Sequence, residues 1–131
     1  MKHEELTADI LKCCFEVSNE LGAGFLESVY EKALIVALSQ KGLKVESQVP
    51  LKVRFRNVVV GDFYADLIVE NKVLIELKAV SKLSPDHKAQ VINYLNATGF
   101  EVGLLVNFGT ARVEYFRFRP SDHPEHPVNP V

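Results

Sequence analysis

The chain has 131 residues, 47% of them hydrophobic and 24% charged, and a net charge of −2. That length suits one domain able to bury about two-thirds of its unfolded surface, so folding requires neither disulfides nor a structural metal. The charge excludes a protein that coats nucleic acid through bulk positive potential, and no apolar run approaches the ~20 residues of a membrane span. Cys13 and Cys14 are adjacent in a helical pattern, which suits buried thiols rather than a disulfide framework or a zinc cluster. The acidic N-terminus lacks the apolar core of a signal peptide, so a cytoplasmic protein with no membrane segment is expected.

From Glu4 to Leu21 the residues Leu6, Ile10, Cys14, Val17 and Leu21 recur at helical spacing, and Gly22-Ala23-Gly24 ends the run. A second helix is expected from Leu26 to Gln40, with Val29, Ala33, Leu34, Ala37 and Leu38 turned inward. Residues 44–60 read as strand interrupted near Pro50 and Asn57, and Lys52, Arg54 and Arg56 alternate with Leu51, Val53 and Phe55. That alternation makes either a basic binding face or an ordinary solvated one. Two further strands follow, Ala65–Val69 and Val73–Leu77. Ser84-Pro85-Asp86 starts a third helix that ends at Gly99, and Val102–Asn107 and Val113–Arg117 close the domain. The order is ααββββαββ in one α/β domain over residues 1–119, followed by a proline-rich extended or disordered tail, 120–131, whose His123 and His126 suit a passive role better than a metal site.

The two strands of ADLIVENKVLIELK are separated by Glu70-Asn71-Lys72. A turn centred on Asn71 sets Val69 opposite Val73, Ile68 opposite Leu74 and Asp66 opposite Glu76. Ala65, Leu67, Val69, Val73, Ile75 and Leu77 then form one apolar face, and Asp66, Glu76 and Lys78 share the other. Carboxylates facing each other at about 5 Å repel unless a cation lies between them. A Mg²⁺ ion takes one or two carboxylates and keeps several waters, which matches this pair. Lys78, about 7 Å further along the same face, is placed to orient or deprotonate a water or to neutralise charge on a phosphate.

Asp66, nine intervening residues and Glu76-Leu77-Lys78 resemble the D…ExK signature of the PD-(D/E)XK nuclease superfamily. Gly24-Phe25-Leu26-Glu27-Ser28-Val29-Tyr30, Gln90-Val91-Ile92-Asn93-Tyr94 and GLLVNFG at 103–109 extend the likeness to its GxxExxY family. The resemblance implies a restriction-endonuclease-like core, a mixed central sheet flanked by helices, and a Mg²⁺-dependent DNA nuclease of repair or defence, with Mn²⁺ as a substitute. It implies Asp66, Glu76, Glu27 and the Leu77 carbonyl as metal ligands, Lys78 as the catalytic lysine, Gln90 as its positioning partner, and Tyr94 and Tyr30 near the substrate. Taken alone, Glu27 is a helix-dipole partner and the two tyrosines are packing residues. Ser18 and Ala23 stand where the family pattern has His and Pro, which removes one expected substrate contact and leaves the metal positions intact. The alternative is a non-catalytic module of the same fold that binds nucleic acid or protein. A homodimer presenting two sites to DNA suits so short a chain.

Overall fold

The computed structural model describes residues 1–122; the remainder of the proline-rich tail, with His123 and His126, lies outside the described residues. The helices α1 (Glu4–Leu21) and α2 (Glu27–Gln40) come first. The strands β1 (Val45–Phe55), β2 (Val58–Val69) and β3 (Val73–Lys78) follow, then α3 (Pro85–Thr98), β4 (Val102–Asn107) and β5 (Glu114–Phe118). No helix among the described residues is long and apolar enough to cross a membrane.

Three strands precede α3 where four were expected, because β1 runs unbroken through Pro50. The sheet order is β1-β2-β3-β4-β5, so β1 is an edge strand. A proline on an edge costs no ladder hydrogen bond when its nitrogen faces outward. Asn57 does mark a reversal: Arg56 and Asn57 both adopt positive φ, 49° and 65°, between the paired Phe55 and Val58. Two successive left-handed residues make the hairpin turn whose twist matches that of its strands.

Strands β3 and β4 are parallel and the other neighbours antiparallel, so the chain must cross a face of the sheet between β3 and β4, and α3 makes that crossing. Ser84 caps α3: its hydroxyl accepts from the His87 N–H, and His87 Nδ1 accepts from the Ser84 N–H. This capping box accounts for His87. Helices α1 and α2 cover the opposite face, where Ile10, Cys14, Leu34 and Leu38 pack on Leu67, Ile75, Leu104 and Val106. Both faces being covered, β3 and β4 carry near-continuous aliphatic runs.

The β2–β3 register is the expected one, Val69 with Val73, Ile68 with Leu74 and Leu67 with Ile75, and there the ladder stops. Ala65 departs from the single apolar face expected for it. It belongs to the α3-side core with Leu51, Ile68, Leu74 and Val91, while Leu67 lies under the N-terminal helices. The alternation breaks at Asp66, opposite Gln48, whose φ of 49° is left-handed.

The segment after Lys78 is tied down from β4. The fully buried Asn107 accepts from the N–H groups of Val80 and Gly109 through Oδ1 and donates through Nδ2 to the Val80 carbonyl and Glu114. A Cβ on Gly109 would lie 2.3 Å from the Val80 carbonyl oxygen, so the close approach of the two segments requires glycine. Replacing Asn107 by Ala orphans both Val80 backbone groups and is expected to lower stability by about 2–3 kcal/mol in urea denaturation. A loss below about 0.5 kcal/mol would show that the segment is held by other means.

Candidate active site

Beyond the last β2–β3 rung the Leu77 N–H has no β2 carbonyl to meet, and Asp66 Oδ2 accepts it at 2.7 Å. This bond draws the Asp66 carboxyl to the end of β3, where Glu76 lies 4% exposed. The two carboxyl groups meet closely enough for one to hydrogen-bond the other when protonated. Burial first, then Asp66, pushes the Glu76 carboxyl up to about 10. Its Oε1 is buried with no hydrogen-bond partner. At neutral pH the pair therefore holds one proton, a shared titration rather than two independent ones.

Glu27, the first residue of α2, joins this cluster. Desolvation and then the charge of Asp66 raise its carboxyl above the ordinary value, with Lys78 opposing. Those terms outweigh the stabilisation of the anion expected from the helix N-terminus. Glu31, one turn on, was not anticipated, and neither was Gln48. The Gln48 amide donates to Glu31 Oε1 at 2.8 Å and to Asp66 Oδ1 at 3.3 Å, bridging α2 to β2. The sequence did hold a signal for Glu31, since carboxylates four apart on a helix repel unless something between them compensates. Gln48 carried none, because its role depends on the left-handed backbone that turns its amide inward.

Tyr94 reaches the pair from α3. Its hydroxyl is raised by desolvation, then by Glu76 and Asp66, so it stays a phenol able to donate. Its ring stacks on Phe63 of β2 with centroids 3.9 Å apart. Gln90, half-buried one turn before Tyr94, lies on the same helix face. Tyr30 is placed elsewhere than expected. It is 1% exposed, which leaves no surface for a substrate, and it stacks on Phe108. Its hydroxyl donates to the Gly22 carbonyl and accepts from the Phe25 N–H, pinning the loop that delivers Glu27. Val29, expected inside, is 37% exposed.

Among the described residues no three His, Cys, Asp or Glu side chains close into a cage. A hard divalent cation of the magnesium class needs no cage. Two carboxylates with room for water suffice, and the orphaned buried oxygen of Glu76 beside Asp66 fits such an ion. The largest cavity, about 730 Å³ between Lys2, Arg117 and Asp122, contains none of these carboxylates.

The sequence pattern of the PD-(D/E)XK nuclease superfamily matches residues 4–118, and the chain belongs to that superfamily. Membership points to nuclease activity, a nucleic-acid partner and a divalent metal. The crystal structure of SSO0001 is similar in fold, with a TM-score of 0.54 at 18% identity, covering 95% of this chain and 63% of that one. This chain thus spans under two-thirds of that structure's length. No curated protein matches the chain significantly.

The raised Glu76 carboxyl fixes a pH dependence. An unfolded glutamate titrates near 4.3, roughly, so above that pH the unfolded chain has lost a proton that the folded, metal-free protein keeps. Stability then falls as pH rises, by up to about 1.4 kcal/mol per unit, until the folded pair itself ionises. Urea denaturation of metal-free protein between pH 5 and 9 is expected to show this decline, and Glu76→Gln to flatten it. An equal slope in both proteins would place the titration elsewhere.

Proposed function

We propose that the protein is a Mg²⁺-dependent nuclease that hydrolyses phosphodiester bonds of DNA, with Mn²⁺ as a substitute, in repair or defence. The observation that carries this reading is the buried, partnerless oxygen of Glu76 held against Asp66. A stable fold gains nothing from such a pair, and a metal site requires it. Asp66 and Glu76 would hold the ion, with Glu27 at the rim. The Leu77 carbonyl is a further candidate, because a strand residue's C=O emerges on the same edge as its N–H, and here that edge faces Asp66 where the ladder has ended. The bound ion would polarise the phosphate and lower the pKa of a coordinated water.

The remaining work falls to the chain's own side chains. Lys78, the last residue of β3, would offset charge on the phosphate and orient the attacking water. Gln90 would position the lysine or that water, and the Tyr94 phenol would donate to a phosphate oxygen. Water attacks phosphorus in line, and the departing oxygen takes up a proton as its bond to phosphorus breaks.

Purified protein incubated with plasmid, linear duplex, single-stranded DNA and RNA should cleave DNA in Mg²⁺ and stop on chelation. Lys78→Ala is expected to lower the rate by about 10²-fold or more. Absence of cleavage on every substrate, or equal rates for both proteins, would contradict the proposal.

A further inference from the structure

A cavity of about 540 Å³ lies between the β1–β2 ribbon and α3, lined by Val53, Phe63, Asn93, Tyr94, Asn96 and Ala97. Its volume falls within the roughly 300–1,000 Å³ of small-ligand clefts. The ribbon forms its outer wall because β2 has no partner but β1 before Leu67. Tyr94 belongs to two places at once: its ring lines the cavity and its hydroxyl senses the charges of Glu76 and Asp66. The groove therefore runs directly from the carboxylate pair.

Its walls combine three chemistries. Phe63 and Tyr94 supply flat aromatic surface. Asn96 spends its Nδ2 on the carbonyls of Ile92 and Pro120, which leaves its carbonyl oxygen as an acceptor, and Asn93 is exposed. Positive charge flanks them. Lys52 is neutralised by Asp62 at 3.1 Å, whereas Arg54 and Arg56, following Val53 along the ribbon, make no ion pair among the described residues. Aromatic faces beside unneutralised cations form the pattern that holds a single nucleic-acid strand, bases stacked and phosphates tracked.

We infer that this groove receives an unpaired base of the substrate strand next to the phosphate to be cut, so that single-stranded DNA is preferred over intact duplex. The inference rests on the nuclease reading for its biological sense but not for its test. A base within a duplex would first have to be unpaired and unstacked, whereas a single strand offers it at once.

Binding of a fluorescent oligothymidylate and of a matched hairpin duplex, measured by anisotropy in chelator, tests the groove without catalysis. Wild-type protein should bind the single strand about ten-fold more tightly, and Phe63→Leu, which keeps apolar contact with Tyr94 but loses the flat ring, should erase that preference. Arg54→Ala with Arg56→Ala should weaken binding to both forms and flatten its salt dependence. Folding of each variant is checked by circular dichroism, and Asn93→Ala, at an exposed position, provides a second probe that leaves the core untouched. Equal or tighter duplex binding, or an undiminished preference in both Phe63→Leu and Asn93→Ala, would overturn the inference. So would self-association that Phe63→Leu abolishes with no change in strand binding, because a second copy would then occupy the groove. Single-strand preference without cleavage in Mg²⁺ would remove the nuclease reading and leave the groove standing. Cleavage without that preference would do the reverse.

Discussion

Asp66 and Glu76 are forced together in a nearly dry pocket, and most of the structure around them serves to enforce that contact. Two carboxyl groups at such a distance raise each other's pKa, and burial raises it further, so the metal-free protein carries a proton that an exposed pair would shed. Hydrophobic packing supplies the compensating stability. The aliphatic runs of β3 and β4 are buried on both faces, and the rung from Ile68 to Leu74 lies directly below the carboxylates.

Holding that geometry requires the strands to separate at one point and be stitched at others. The β2–β3 ladder ends at Leu67 with Ile75, the Asp66 carboxyl takes over the Leu77 N–H, and Gln48 ties Asp66 to Glu31 on α2. The far end of β3 is braced by the Phe108 N–H, which donates to the Lys78 carbonyl, and by Asn107 on Val80. On the α3 side, a Cβ on Gly103 would come within 2.7 Å of Val91, so the helix that carries Gln90 and Tyr94 lies as close to β4 as glycine permits. Tyr30, buried under Phe108, holds the loop before Glu27. Each brace lies within a residue or two of a functional side chain, which is how a small fold fixes polar groups that repel one another.

Much of this was readable because it is local. The turn at Glu70-Asn71 set the register, and with it the approach of Asp66 to Glu76, while Ser84-Pro85 and Gly99 bounded α3 at the expected residues. What escaped depends on tertiary position. Pro50 breaks a central strand but not an edge, and sequence alone does not say which strand is the edge. The switch of Ala65 to the α3-side core follows from an irregularity at Gln48 that no periodicity announces. Tyr30 shares a helix face with leucines that point inward, Leu34 and Leu38, and follows them into the core. Its motif position marks a residue that shapes the site from beneath.

The central claim is that a divalent ion takes the place of the proton held between Asp66 and Glu76. Calorimetric titration of Mg²⁺ or Mn²⁺ at neutral pH, repeated in two buffers of different ionisation enthalpy, counts the protons released per ion bound. The account predicts saturable binding with release of about one proton, and loss of both in Asp66→Ala. Binding without proton release, or binding unaffected by that substitution, would contradict it.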